Sequence, residues 1–203
     1  MAQQLIQDRT PQAYAGVETY ARRHASEDAG ALAWLVLGFA HILDHDYAKA
    51  IDPLNRARAH AGDLGDYVTY YLGNAYLQTG RDAETVATLS EFSRKYPDSL
   101  LVRDAHVLYA NALLTEGRAE DAAAVLEKQR EPVRADAELA LGRAYEASGL
   151  TAKAADALRN VYYNTPTSPE ADQAGAELRR LGATTASLSE RKTRADLLAK
   201  GKR

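Results

Sequence analysis

Leu72-Gly73-Asn74-Ala75-Tyr76-Leu77-Gln78-Thr79-Gly80-Arg81 reappears later in the chain as Leu141-Gly142-Arg143-Ala144-Tyr145-Glu146-Ala147-Ser148-Gly149-Leu150. A looser copy occupies residues 109–118, and an earlier one opens with Leu37-Gly38-Phe39-Ala40-His41. Small residues mark the register at Gly38, Gly73, Ala110 and Gly142, separated by 35, 37 and 32 residues. Each recurring residue has a physical task. A small residue inside a helix lets a second helix approach its backbone. A glycine just past the helix end supplies a left-handed cap. A proline beyond the second helix stops it and turns the chain.

The copies extend on both sides of this segment. The first reads Trp34-x2-Leu37-Gly38, then Ala50, Leu54 and Ala57. The second continues from Leu72-Gly73-x2-Tyr76 to Leu89, Phe92 and Pro97, and the fourth from Leu141-Gly142-x2-Tyr145 to Ala154, Leu158, Val161 and Pro166. A helical-hairpin period of about 34 residues with this pattern is the signature of the tetratricopeptide repeat. The chain is therefore expected to be all-α, a tetratricopeptide-like right-handed superhelix of stacked hairpins, that is, an α-solenoid. We read residues 1–203 as a single helical repeat domain. A start helix at 11–27 precedes repeats at about 31–61, 66–97, 103–132 and 135–166, and end helices follow at 169–181 and 187–200. Ser187-x2-Glu190 predicts a capping box for the last of these. Pro53 is expected to kink its helix and Pro132 to shorten the second helix of the third pair. The pattern stops partway through a further repeat, as in a fragment of a longer protein or an end capped from outside.

Composition agrees with a folded helical domain. Of 203 residues, 46% are hydrophobic and 26% charged, in the range of globular proteins. Net charge is −3, which gives no global attraction to nucleic acid or to an anionic membrane. The absence of cysteine excludes disulfides, thiolate catalysis and cysteine-ligated zinc. Residues 1–14 hold no apolar run that would read as a secretory signal. The most apolar stretch, residues 31–43, is too short to span a bilayer and reads as a buried helix.

In such hairpin stacks the first helices line the concave face. Candidate binding positions there are Tyr67, Tyr70, Asn74 and Gln78 in the second repeat. Asp104, Val107, Asn111 and Thr115 take the corresponding places in the third, and Asp136, Leu139, Arg143 and Glu146 in the fourth. A polar surface with aromatic content suits an extended peptide or a glycan; it is equally what an ordinary solvated groove looks like. A lysine-based clamp for a terminal carboxylate is excluded, because Asp104 and Asp136 stand where positive charge is needed. In the doublets Tyr70-Tyr71 and Tyr162-Tyr163, neighbours point about 100° apart, so one ring of each is expected inside and one at the surface.

Catalytic signatures are missing. His41 and His45 are four apart, but Ile42 and Leu43 stand between them with no glutamate of a metalloprotease helix, and two ligands do not make a zinc site. Carboxylates such as Asp82, Glu84, Glu120 and Asp121 fall on expected solvent-facing turns. No phosphate loop, nucleophile elbow or dinucleotide fingerprint occurs. No cofactor or metal is expected. The basic tail Arg191, Lys192, Arg194, Lys200, Lys202 and Arg203 reads as one solvated face of a helix.

Three segments carry a resemblance to a known family. They are Tyr96-Pro97-Asp98-Ser99-Leu100, the run from Tyr162-Tyr163-Asn164-Thr165-Pro166 through Thr167-Ser168-Pro169-Glu170-Ala171, and Glu190-Arg191-Lys192-Thr193-Arg194-Ala195-Asp196-Leu197-Leu198. The arrangement resembles the N-terminal superhelical region of soluble lytic murein transglycosylases. The resemblance implies a parent protein that cleaves peptidoglycan glycan strands with a downstream lysozyme-like domain, in the periplasm or cell envelope. It implies peptidoglycan, or that catalytic domain, as the partner of this module. The family's Glu-Ser and Gly-Leu-Met-Gln motifs are missing, since no glutamate here precedes a serine and the only methionine is Met1. No catalytic residue is carried over. The alternative is a protein–protein adaptor in envelope assembly or secretion.

Overall fold

The computed structural model describes residues 2–128 and 130–201, and among them there are helices, turns and loops but no strand. The fold class is the expected one: all-α, built from tetratricopeptide-type hairpins. The chain divides into two compact units, Met1–Ala112 and Leu113–Arg203.

The first unit opens with α1 (Ala2–Asp8) and α2 (Pro11–Arg23). Thr10 caps α2 by accepting the Ala13 amide at 3.2 Å, and Pro11 fits the first turn, where no donor is needed. The hairpin α3 (Asp28–Leu43) and α4 (Tyr47–Ala57) follows, then α5 (Gly65–Gln78), α6 (Asp82–Leu89) and the single turn α7 (Phe92–Lys95). Next comes α8 (Val102–Thr115), most of which lies in this unit. The start helix ends at Arg23, four residues earlier than the sequence pattern placed it, where His24 caps the Tyr20 carbonyl. Pro53 is buried inside α4, which runs on to Ala57.

The second unit contains α9 (Ala119–Glu127), α10 (Ala135–Ala147), α11 (Thr151–Asn164), α12 (Ala171–Arg180) and α13 (Leu188–Gly201). α9 ends five residues before Pro132. Ser187 and Glu190 form a reciprocal capping box at the start of α13: the Ser187 amide donates to Glu190 at 2.7 Å and the Glu190 amide donates to Ser187 Oγ at 3.1 Å. The basic tail's Lys202 and Arg203 lie outside the described residues.

One kind of turn recurs after five of the helices. His45, Gly80, Gly117, Gly149 and Gly182 all have positive φ, between 50° and 80°. In each case the next residue's amide reaches back to the helix, as in Arg81 to Tyr76 O at 2.9 Å and Leu150 to Tyr145 O at 2.8 Å. This is the Schellman closure, which satisfies carbonyls the helix end leaves open. Each of these residues stands seven places after a register residue, and the last identifies Gly175 as a fifth.

The hairpins then pack by one rule. A side chain added at Gly38, Gly73 or Gly142 would lie 2.4 Å, 2.7 Å or 2.9 Å from Leu54, Leu89 or Leu158. Each leucine stands sixteen residues after its glycine and is buried. The missing Cβ is what lets the second helix sit against the first, and each buried leucine contributes roughly 1.5–3 kcal/mol of transfer free energy. Thr85 occupies the same contact and satisfies its hydroxyl on the Gly73 and Arg81 carbonyls at 3.3 Å and 3.1 Å.

Candidate functional site

Within the first unit, α5 presents the predicted positions along one side. Tyr67 is 40% exposed and Gln78 is exposed, while Asn74 is half-buried beneath Gln78, whose amide lies 3.5 Å from Asn74 Oδ1. Tyr71 continues the line: its ring centroid is 6.4 Å from Tyr67 and 4.9 Å from Phe39 of α3. Burial, with Tyr67 beside it, pushes the Tyr71 phenol above its ordinary value. Tyr70 turns the other way and packs against Leu89, Phe92, Val102 and Ala105. Both rings of this doublet are therefore half-buried, not one in and one out, because α3 receives one and α6 to α8 receive the other. Asn111, also predicted, is half-buried on α8.

Positions the sequence reading left out complete this surface. Shifting the α5 face back by the 35-residue register lands on Leu32, Val36, Phe39 and Leu43 of α3. Leu32 is 49% and Leu43 39% exposed. Apolar residues cover α3 on all sides, so one flank faces the core and the other reaches solvent. The expectation that this stretch is a buried helix holds for Ala31, Trp34, Leu35 and Leu37 but not for the Leu32 side.

The second unit uses the same register differently. Arg143 donates to Glu177 at 2.7 Å and to Gln173 at 3.0 Å. Glu146 is held by Arg180, also on α12. Both ion pairs join residues 34 apart, so they tie one first helix to the next along the stack. Leu139 is not exposed as expected; it is buried with Leu158, Val161, Ala174 and Leu178, because α12 closes over it. Asp136 pairs with Arg134 at 2.6 Å. On the other side of α10, Glu138 is 1% exposed and takes a two-pronged contact from Arg130 at 2.5 Å and 2.9 Å. Tyr145 donates to Glu127, and burial together with that bond pushes its phenol up to about 12.

The remaining candidates are engaged separately. His41 stacks on Tyr14 with centroids 4.6 Å apart, and burial holds its imidazole below the ordinary value. Tyr14 donates to Asp44 at 2.8 Å, and Arg9 pairs with the same carboxylate at 2.7 Å. His45 turns away and meets the Tyr47 hydroxyl at 3.1 Å. No group of three or more histidine or acidic side chains that could hold a metal occurs among the described residues. No helix among them is long and apolar enough to cross a membrane.

Residues 67–99 match the family model of the tetratricopeptide repeat. That segment begins in α5 and takes in the Gly73–Leu89 contact and the Gly80 turn. No curated protein matches the chain. Among solved structures, a crystal structure from Podosopora anserina of nearly identical TPR-like repeats of kinesin-light-chain type is similar. Identity is 17%, the TM-score is 0.62, and the likeness covers 88% of this chain and 93% of that one. A glutamine-to-methionine variant of those repeats is similar at the same identity and coverage, with a TM-score of 0.63. Likeness at this level of identity concerns the fold.

Proposed function

We propose that the chain is a non-catalytic scaffold of the tetratricopeptide type that takes a protein or peptide partner on the first-helix face of its N-terminal repeats. The observation that carries this is the line of Tyr67, Tyr71 and Phe39, flanked by Asn74 and Gln78. It is an aromatic surface with amide edges that the unit itself leaves open. Tyrosine supplies contact area at low entropic cost and keeps a polar tip for hydrogen bonds. The test is affinity capture on the full chain alongside a Tyr67→Ser, Gln78→Ala variant. Proteins retained by the parent chain and lost from the variant support the reading; identical capture by both removes it.

A second reading draws on the family resemblance: the N-terminal module of a peptidoglycan lytic transglycosylase, in the periplasm or cell envelope, that positions glycan or a catalytic domain. The segments that suggest it have packing roles here. The Tyr96 hydroxyl lies 3.3 Å from Thr69, over Gly65. Tyr162 sits between Gly175 and the Arg194 guanidinium, 3.7 Å above its ring. Those uses explain the residues as parts of a hairpin stack. Retention of the chain on purified peptidoglycan, without specific capture of protein, would favour this second reading over the first.

A further inference from the structure

Leu32 stands as a ridge between two cavities of the first unit. One, of about 340 Å³, lies between α2 and α3 and is walled by Val17, Tyr20, Ala33 and Val36. The other, of about 270 Å³, is walled by Leu35, Leu64 and Val68 where the chain enters α5. Both lie near the low end of the roughly 300–1,000 Å³ range of small-molecule sites, and each has room for an apolar protein side chain. The second cavity has a charged rim. Asp28 and Asp63 both line it, together with a single imidazole, His60. Neither aspartate is ion-paired or accepts a side-chain hydrogen bond among the described residues, and both are exposed. Several other carboxylates of this unit are used otherwise: Glu18, Asp44, Asp46, Asp52 and Glu84 each hold a basic side chain.

We infer that this place on α3 docks an amphipathic helix of a partner protein, with two apolar side chains one turn apart and a lysine or arginine next to them. The apolar pair straddles Leu32, one side chain in each cavity, as the ridge of one helix enters the grooves of another. Residues three or four apart on a helix lie on one face and supply that pair. The basic residue meets Asp28 and Asp63, whose charge steers the encounter and selects against acidic helices. Apolar spacing and charge together define the partner's chemistry. The inference rests on the scaffold reading and assigns a partner class to its first repeat.

A phage-displayed library of random peptides, panned on the immobilised full chain, tests it. Expected are enriched peptides with apolar residues three or four apart and an adjacent lysine or arginine. Their binding, read by fluorescence anisotropy, should weaken about tenfold or more with Leu32→Asp, the size of loss typical of a central anchor. It should weaken severalfold with the Asp28→Asn, Asp63→Asn double variant, and added salt should weaken it for the parent chain only. Leu32→Ser provides a milder check should the charged variant lower the melting temperature. Enriched peptides that ignore Leu32 and depend on Tyr67 would overturn this docking site and leave the scaffold reading standing. Enrichment of acidic peptides would overturn the charge rule. No enriched peptide at all would count against both.

Discussion

The second and fourth repeats share a frame and differ in what they show to the outside. Gly73 and Gly142 meet Leu89 and Leu158 in the same way, and Gly80 and Gly149 close the same turn. Yet where α5 offers Tyr67, Asn74 and Gln78, α10 offers Arg143 and Glu146, and those two are consumed by Glu177 and Arg180 of α12. The lesson is that repeat register fixes which positions lean outward, while the neighbouring helix decides whether they remain available. The first unit keeps an aromatic and apolar surface; the second spends its charges on holding successive first helices in line.

If the frames are equivalent, equal damage should cost equally. Leu72 and Leu141 are at most 1% exposed, so replacing either by alanine should remove about 2–5 kcal/mol of stability. Chemical denaturation of both variants checks this. A large loss in one and none in the other would show that the two repeats are not built alike. A smaller effect separates the helix contacts. Gly73→Leu and Gly142→Leu should each cost about 1–3 kcal/mol by overpacking. Of the two, Gly73 is tighter, with three leucine carbons within 2.8 Å of the added Cβ against 2.9–3.0 Å for the nearest two at Gly142. A Gly73→Leu protein as stable as the parent would refute the close-approach role.

Most of this frame was legible in the residues, because glycine at a helix crossing and glycine past a helix end are demanded by sterics that act within one repeat. The Ser187 capping box was legible for the same reason: its partners lie three residues apart. What was missed depends on neighbours. Gly175 was passed over as a register mark, although Gly182 follows it at the same interval as in the other repeats. Leu139 was read as exposed because its cover, α12, is contributed by later sequence. Leu32 and Leu43 were read as buried because hydropathy cannot separate the two flanks of a helix that is apolar all round. The 35-residue register from Tyr67 back to Leu32 carried that information.

The five turns supply the next contrast. Four use glycine at positive φ; the first uses His45 at φ 58°. A side chain in the left-handed region costs roughly 1–2 kcal/mol. Part of that is offset by the hydrogen bond between His45 Nδ1 and the Tyr47 hydroxyl and by the extra chain entropy a glycine must lose on folding. His45→Gly should therefore raise stability by about 0.5–1 kcal/mol, visible as a higher midpoint in thermal melts. A lower midpoint would mean that the imidazole contributes more to the turn than its backbone strain removes.

The smallest effect returns to the two faces. The Arg143–Glu177 and Arg180–Glu146 pairs are partly exposed, and pairs of that kind are worth about 0.2–1 kcal/mol each. Arg143→Ala should thus cost about 0.5 kcal/mol at low salt and less as salt screens the pair. Tyr67→Ser, at an outward position with no ion pair, should lose its ring contact with Tyr71, a cost that does not change with salt, and alter what the chain binds. The difference is one of division of labour: a residue held by a helix 34 places on has a salt-screenable share in the fold, whereas one without an ion pair has no such share to lose. If Arg143→Ala proved silent in stability while reducing partner capture as strongly as Tyr67→Ser, the contacts with α12 would be incidental. The fourth repeat would then have to be counted with the second as a binding surface.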